Sequence, residues 1–425
     1  MNGRFEDARS APFTVHCFTV HAVFPIVRPK CFLYFRIVRR SLVTARLART
    51  AFFVEGTLPI RIGLAFNVKP EVPAASAGPA IDSSATDEPP SRALRPDLPQ
   101  PDLYIEWDDP ATIDAVENAL ATLGEVIRLE ADQDFPAKLL DYRPDFVFNI
   151  AEGLFGPSRE SHVPAICEFL GVPYHASDPL TLGLCLHKGR AKEMLERYGV
   201  PTAPFRLART VAEARATRLP FPLFVKPAFE GSGKGVSSKS VCHSRAELTT
   251  QVNYLLATYR EPVLIETYLP GREFTVAILG NGDEARCLPI VGMCFDTLPP
   301  GAPPIYGYEA KWLWDTPSHP LDIFECPARI PESLATAVRE AALAAYHALD
   351  CRDWCRIDLR CDAAGRPMVV ELNPLPGILP DPRDNSCFPK AAAAAGMSYD
   401  ELICTVADIA WRRISGGSLL AGVAS

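Results

Sequence analysis

Residues 354 to 373, WCRIDLRCDAAGRPMVVELN, limit this chain more than any other stretch. Two apolar, β-branched runs, Trp354 to Cys361 and Met368 to Asn373, flank a polar turn with Gly365 and Pro367, which predicts a β-hairpin. Side chains alternate along a strand, so Arg356 and Asp358 share one face, and Glu371 and Asn373 share one face of the partner strand. Folding the hairpin can bring all four together. Three oxygen donors and a guanidinium, on strands otherwise built of Ile, Leu and Val, are costly to bury without a compensating ligand. A hard cation bridging to phosphate is such a ligand, since Mg²⁺ takes oxygen ligands and shares one or two protein carboxylates with substrate phosphates. A single D-x-L or E-x-N pair also fits a solvated hairpin face, so the rest of the chain decides.

At 425 residues the chain is long enough for two or three domains with sizeable cores. Its formal charge of -8 and pI near 5.6 argue against a nucleic-acid binder, which needs a basic face. Thirteen cysteines, an odd number with no C-x-x-C pair, indicate neither a disulfide framework nor a zinc knuckle. They fit cytoplasmic thiols. Residues 1 to 58 do not match the rest. Ala11 to Val27 is apolar but interrupted by His16, His21 and Pro25, and falls short of the roughly 20 apolar residues of a membrane span. Cys31 to Phe53 is rich in Arg without an acidic residue, as in a targeting presequence or spurious upstream sequence. The expectation is an N-terminal extension outside the folded unit, and no membrane partner.

From Leu58 a regular pattern begins. PIRIGLAF predicts a buried strand, and Ala111 to Leu123 has helical spacing at Ile113, Val116, Leu120 and Leu123. A strand (Glu125 to Leu129), a helix (Phe135 to Tyr142) and the strand DFVFNIA from Asp145 follow. This β-α-β-α-β order implies a parallel sheet with helices on its faces. Residues 69 to 102 hold eight prolines among Ser and Ala, which predicts a long disordered loop. Ligands bind at the carboxyl ends of parallel strands, so the loop Glu152 to Ser161 is a second candidate surface. Its Glu152, Arg159 and Glu160 fit either ligand contacts or ordinary surface charge.

Lys188 to Tyr198 has helical character, and FPLFVKP (Phe221 to Pro227) predicts a strand with Lys226 at its end. A lysine in an apolar strand needs an anionic partner when buried. Directly after it comes Phe229-Glu230-Gly231-Ser232-Gly233-Lys234-Gly235, a loop able to lay backbone N–H groups against phosphates. It is not a P-loop: the Gly and the Ser or Thr that pattern requires are Ala228 and Gly235 here. PVLIETYLPGREFTVAILG (Pro262 to Gly280) predicts two strands, Tyr306 to Asp315 an aromatic-rich covering loop with Lys311, and helices follow at Glu332 to Leu349, Asn385 to Ala395 and Tyr399 to Ile414.

The order VKP, Gly-rich loop, LIETYLPGREFTV, YEAK, RIDL and VVELNPLPG resembles the ATP-grasp ligases, and closely resembles the D-alanine-D-alanine ligase group, over about Ile60 to Ile414. The resemblance implies an α/β and α+β architecture: an N-terminal parallel α/β domain at 59–184, a central lobe at 185–270 and a catalytic lobe at 271–415, the two lobes clasping ATP. Residues 416–425 are expected to form a flexible tail.

It further implies that Lys188 and Lys226 contact the ATP phosphates, with Glu230, Gly231, Ser232 and Gly233 in the lid over them. The backbone from Glu266 through Tyr268 to Leu269 would hold the adenine edge, Glu273 the ribose hydroxyls, and Lys311 the γ-phosphate. Asp358, Glu371 and Asn373 would bind two Mg²⁺ ions, or Mn²⁺. Arg356 and the Gly377 backbone would stabilise the developing oxyanion, and Lys311 and Ser232 are the further candidate catalytic residues. Ser386 and the adjacent Cys387 backbone would receive the acceptor carboxylate. The substrates implied are amino acids or peptides, and the implied assemblies include a homodimer.

Departures from the family lie on the donor side. Its Gly-Gly-x-Ser-x-Glu stretch is absent after Phe66, its His-Gly is Glu152-Gly153, and Pro157 replaces an acid. The second lid serine is Gly233, Trp312 follows Lys311, and His187 precedes Lys188. Glu152 is therefore a candidate substitute for the missing ammonium partner. The resulting expectation is a carboxylate-amine ligase acting through an acyl phosphate. The runner-up is a ligase for other amino acids or peptides. A non-catalytic ATP-binding regulator and a kinase-like phosphotransferase are the alternatives from other classes.

Overall fold

β1 (Arg61–Phe66) runs through the middle of a three-stranded parallel sheet, between β2 (Glu125–Glu130) and β3 (Phe146–Asn149). The computed structural model describes residues 59–70, 104–299, 301–307, 310, 314, 321 and 323–422. The expected extension at 1–58 and nearly all of the proline-rich loop lie outside the described residues, as do Lys311 and Trp312. α1 (Pro110–Ala121) and α2 (Phe135–Tyr142) make the crossovers. Each carries proline in its first turn, where no intrahelical N–H bond is lost. The apolar stripe Ile113, Val116 and Leu120 packs with Ile62, Leu64 and Phe148 in one core. The connection from β2 to β3 passes over β1 to its other side, so the chain reverses direction across the sheet there.

The second sheet is antiparallel in the order β4-β7-β5-β6, from β4 (Phe205–Ala208), β5 (Leu223–Pro227), β6 (Val241–Cys242) and β7 (Val263–Thr267). α3 (His162–Leu170), α4 (Pro179–Leu186) and α5 (Lys188–Arg197) precede it. α6 (Val211–Arg215) and α7 (Arg245–Tyr259) cover it, and α7 buries Leu248, Val252 and Leu255 against Val225 and Ile265.

The third sheet runs β11-β10-β8-β12-β13, with β9 (Arg286–Cys287) paired to β8 (Glu273–Leu279). Its other strands are β10 (Val291–Met293), β11 (Phe324–Glu325), β12 (Trp354–Cys361) and β13 (Pro367–Asn373). α8 (Glu332–Ala348) packs on one face, where Ala342 and Ala345 meet Val276 and Ile357. α9 (Cys387–Ala394) and α10 (Tyr399–Ser415) follow, α10 opening with a reciprocal Ser398–Glu401 cap and ending at Gly416 with φ 76°. The hairpin forms as expected, with one difference: Pro367 opens β13 instead of lying in the turn. It stands opposite Cys361 at the end of the ladder, where a residue without an N–H is tolerated.

A buried carboxylate joins these parts. Asp353, with no exposed surface and φ 64°, precedes β12. Its Oδ1 accepts from Asn281 Nδ2 at 2.8 Å and Arg413 Nε at 2.9 Å, and its Oδ2 accepts from the Ala176 N–H at 2.8 Å and Arg413 Nη2 at 2.6 Å. Arg413 Nη2 also donates to the Tyr174 carbonyl at 3.0 Å. The segment after α3, the turn after β8, the start of β12 and the end of α10 thus meet at one side chain. Beside it, His175 stacks on Phe148 at 4.0 Å, and burial holds its imidazole down at about 3, so it stays neutral.

Arg413→Met leaves the Asp353 charge buried without its counter-ion. The expected cost is about 3–5 kcal/mol of unfolding free energy, measured by urea denaturation at pH 7. A loss under about 1 kcal/mol would contradict this account.

Candidate active site

The hairpin register sets Arg356 opposite Asn373 and Asp358 opposite Glu371, with a bulge just after Asp358. Asp358 is held on three sides. Arg356 donates from Nε at 3.1 Å to Oδ1 and from Nη2 at 3.0 Å to Oδ2, Thr275 Oγ1 donates to Oδ1 at 2.8 Å, and Asn373 Nδ2 donates to Oδ2 at 3.2 Å. Glu371 pairs with Lys188 Nζ at 2.9 Å. Burial would raise the Glu371 carboxyl, but attraction from Lys188 and Lys226 outweighs it and holds it down at about 2. The Arg356 guanidinium is raised despite burial, chiefly by Asp358. All four hairpin residues expected to cooperate are therefore within reach of one another.

These side chains border a cavity of about 980 Å³, within the usual range for small-molecule sites. Lys188 lines it from α5, and Lys226, Glu230, Ser232 and Gly233 line it from the second sheet and its loop. Glu266, Tyr268, Leu269 and Glu273 line it along the connection from β7 to β8. Arg356, Asp358, Glu371, Gly377, Ser386 and Cys387 complete it from the third sheet and the start of α9. Gly231 and Asn373 stand one hydrogen bond behind lining residues. Ser386 Oγ donates to the Gly377 carbonyl at 3.0 Å and accepts from the Leu379 N–H at 3.2 Å, which shapes the turn into α9.

Lysines in the cavity meet carboxylates. Glu266 on β7 takes Lys192 at 2.8 Å and Lys226 at 3.1 Å, all three buried. Burial would raise the Glu266 carboxyl, but the two ammonium groups lower it. Lys192 lies four residues after Lys188 on α5, one turn along the same face, and also donates to Thr202 Oγ1 at 2.6 Å. Lys188 Nζ donates to the Glu230 carbonyl at 2.5 Å, fixing the start of the Gly-rich loop.

Glu106 is the main residue the sequence reading missed. It stands between the proline-rich segment and α1, in a stretch without periodicity to mark it. Its Oε1 accepts from the Gly231 N–H at 2.8 Å and Arg159 Nη2 at 3.0 Å, and its Oε2 accepts from Lys234 Nζ at 2.8 Å and Arg159 Nη2 at 2.9 Å. Lys234 also meets Glu230 at 3.0 Å. A Cβ on Gly231 would lie 2.4 Å from Glu106 Oε1, so the glycine is what lets the carboxylate approach. Backbone hydrogen bonds from Lys69 N to Asp108 O at 2.9 Å and from Asp108 N to Asn67 O at 3.0 Å return the chain to the end of β1 before α1.

Glu152 is half-buried and is not among the cavity-lining residues. Burial and the neighbouring Glu160 and Glu106 push its carboxyl well above the usual range, against a smaller pull from Arg159. Glu160 and Asp108 are each pushed up to about 7, mainly by burial. The end of the parallel sheet therefore carries more carboxyl groups than cations.

The donor set suits a nucleotide with a hard cation. Two carboxylates and an amide stand on one hairpin face, and among the described residues no His, Cys, Asp and Glu cluster forms a fuller cage. The cysteines among the described residues are free thiols, and none of the described helices is long and apolar enough to cross a membrane.

The family described as "D-ala D-ala ligase C-terminus" matches residues 194–408. The chain is 36% identical over 334 residues to Uncharacterized protein y4sG of Sinorhizobium fredii, covering 76% of this chain and 93% of that one. It is 34% identical over 264 residues to a D-alanine-D-alanine ligase of Bordetella petrii, covering 62% of this chain and 74% of that enzyme. Its fold is similar to the crystal structure of D-alanine-D-alanine ligase from Bacillus anthracis complexed with ATP. That match has a TM-score of 0.56 and 22% identity, and covers 84% of this chain and all of that one.

Glu106→Gln removes the anion shared by two buried cations. The expected loss is about 3 kcal/mol of stability, with faster amide hydrogen exchange at 230–236 because the loop loses its tie to the α1 side. Unchanged exchange there would show that the tie does not hold the loop.

Proposed function

The chain belongs to the D-alanine-D-alanine ligase family and is an ATP-dependent ligase forming a C–N bond, and from that premise we propose that it joins an amino-acid or peptide carboxylate to an amine through an acyl phosphate. The observation that carries this reading is the Arg356, Asp358, Glu371 and Asn373 set on one wall of a cavity that also takes in the Gly-rich loop and the β7–β8 connection. The proposed working parts are the parallel α/β domain at 59–184 and the two lobes at 185–270 and 271–415.

Asp358, Glu371 and Asn373 are the proposed holders of Mg²⁺, and Mn²⁺ suits the same oxygen donors. Lys188 and Lys226 face the phosphates, and the segment from Glu230 through Gly231, Ser232 and Gly233 covers them. The backbone at Glu266 to Leu269, with Tyr268, borders the base, and Glu273 takes the ribose hydroxyls. Lys311 is assigned to the γ-phosphate from the family motif alone. When bound, the nucleotide with its metal supplies the phosphoryl group that activates the donor carboxylate. Arg356 and the Gly377 N–H then stabilise the oxyanion formed as the amine attacks, a role preorganised donors fill well in a dry site. The first N–H groups of α9, beside Ser386 and Cys387, suit the acceptor carboxylate.

The donor side departs from the family, and its excess of carboxyl groups favours an arriving ammonium. Glu152, its carboxyl raised by its acidic neighbours, is the proposed partner. An ammonium beside it would draw the proton off and be held as an ion pair.

ATP- and Mg²⁺-dependent phosphate release, screened with D- and L-amino acids singly and in pairs, is expected to give turnover with an amide product, ADP and phosphate. A phosphorylated acceptor as the product would replace the ligase reading with a phosphotransferase. Asp358→Asn and Glu371→Gln are each expected to lower turnover by about 10²-fold or more. Glu152→Gln is expected to raise KM for the donor severalfold while ATP affinity, read by calorimetry, stays as in the wild type. Unchanged donor kinetics would remove Glu152 from the donor site.

A further inference from the structure

Arg360 is a charged, buried residue of the cavity wall that none of the roles above uses. It follows Arg356 and Asp358 at alternate positions on β12, and all three line the cavity. Its side chain is 8% exposed. Nη1 donates to Glu273 Oε2 at 2.9 Å, and Nη2 donates to Tyr268 Oη at 3.1 Å and to the Pro304 carbonyl at 2.8 Å. The guanidinium lies over the Tyr268 ring at 5.1 Å and the Phe295 ring at 5.5 Å. Among the described residues, the buried Nε has no acceptor.

Arg360 and Glu273 are also cross-strand neighbours, so a plain ion pair between β12 and β8 would account for Nη1. It accounts neither for the cavity position nor for Nε. A buried N–H without an acceptor is rare and costly, and here it belongs to a group bordering a cavity whose wall beside it is apolar and aromatic: Phe224, Tyr268, Leu269, Met293 and Phe324. A ligand entering there with a flat, acceptor-bearing ring would bury apolar surface and satisfy Nε together.

We infer that Arg360 is a nucleoside-recognition residue: its fork holds the Glu273 carboxylate in place for the ribose hydroxyls, and Nε–H donates to an acceptor on the nucleoside. The inference rests on the reading that the nucleotide lies along the β7–β8 connection. Lysine cannot do both tasks, because a point charge has no planar fork to serve Glu273, Tyr268, the Pro304 carbonyl and the ligand together.

Calorimetric titration of the full chain with ATP and with 2′-deoxy-ATP, in Mg²⁺, tests this without any need for the amino-acid substrates. The wild type is expected to favour ATP by about tenfold. In Arg360→Met, ATP affinity should fall about tenfold or more, and the preference over the deoxynucleotide should shrink towards one. Thermal melting of each variant checks that it folds. Should Arg360→Met not fold, Arg360→Lys carries the test, since it keeps a charge beside Glu273. Wild-type affinity and preference in a folded variant would overturn the inference. Equal binding of both nucleotides by the wild type would overturn it together with the Glu273 ribose assignment. No binding of either would overturn the nucleotide reading itself.

Discussion

A carboxylate sealed from water must have its charge answered on every side, and Asp353 meets that demand by recruiting three other parts of the chain. Its side chain accepts from Ala176 beyond the parallel sheet, from Asn281 after β8 and from Arg413 on α10. Its own backbone N–H returns a bond to Asn281 Oδ1 at 2.9 Å, and its carbonyl takes the Gly280 N–H at 2.9 Å. β12 begins at the next residue, so its register against β8 starts from this anchor. Arg356, Asp358 and Arg360 inherit their places in the cavity from that register. An apolar cluster could hold the same parts together, but non-directional contacts would set the alignment less sharply.

In and behind the cavity wall the same demand is met pair by pair. Lys192 and Lys226 share Glu266, Lys188 meets Glu371, Arg356 meets Asp358, and Arg159 and Lys234 share Glu106. These pairs keep a strongly charged interior folded, and they hold cations where an anionic ligand can use them. A ligand arriving with phosphates and a metal exchanges partners with groups already desolvated and aimed, so little reorganisation remains at the moment of reaction.

The hairpin was legible because a strand period of two, applied to R-I-D-L and E-L-N, places the polar atoms on one face whatever the rest of the chain does. Most helices and strands were legible for the same reason, from apolar spacing. Arg360 continues the very alternation that marked Arg356 and Asp358, and Lys192 repeats Lys188 one helical turn later, so both could have been read from spacing alone. Glu106 could not. It lies between a proline-rich segment and a helix start, where no period operates, and its partners are distant in sequence. The buried role of the Glu266 carboxylate was likewise hidden, because one acid at the end of an apolar run does not disclose the two lysines beneath it.

The bonds between Lys69 and Asp108 and between Asp108 and Asn67 close the chain on itself just after Glu106. The two ends of the loop, Lys69 and Asp108, are therefore one hydrogen bond apart. The entropy of closing such a loop grows only with the logarithm of its length, about 0.6 kcal/mol for each doubling. Glu106 stands inside that loop, two residues from the clasp, and its own bonds to Gly231, Arg159 and Lys234 hold its place beside the Gly-rich loop. The site therefore has a port for insertion at its edge, where new sequence can be grafted beside the cavity while the groups that define it stay in register.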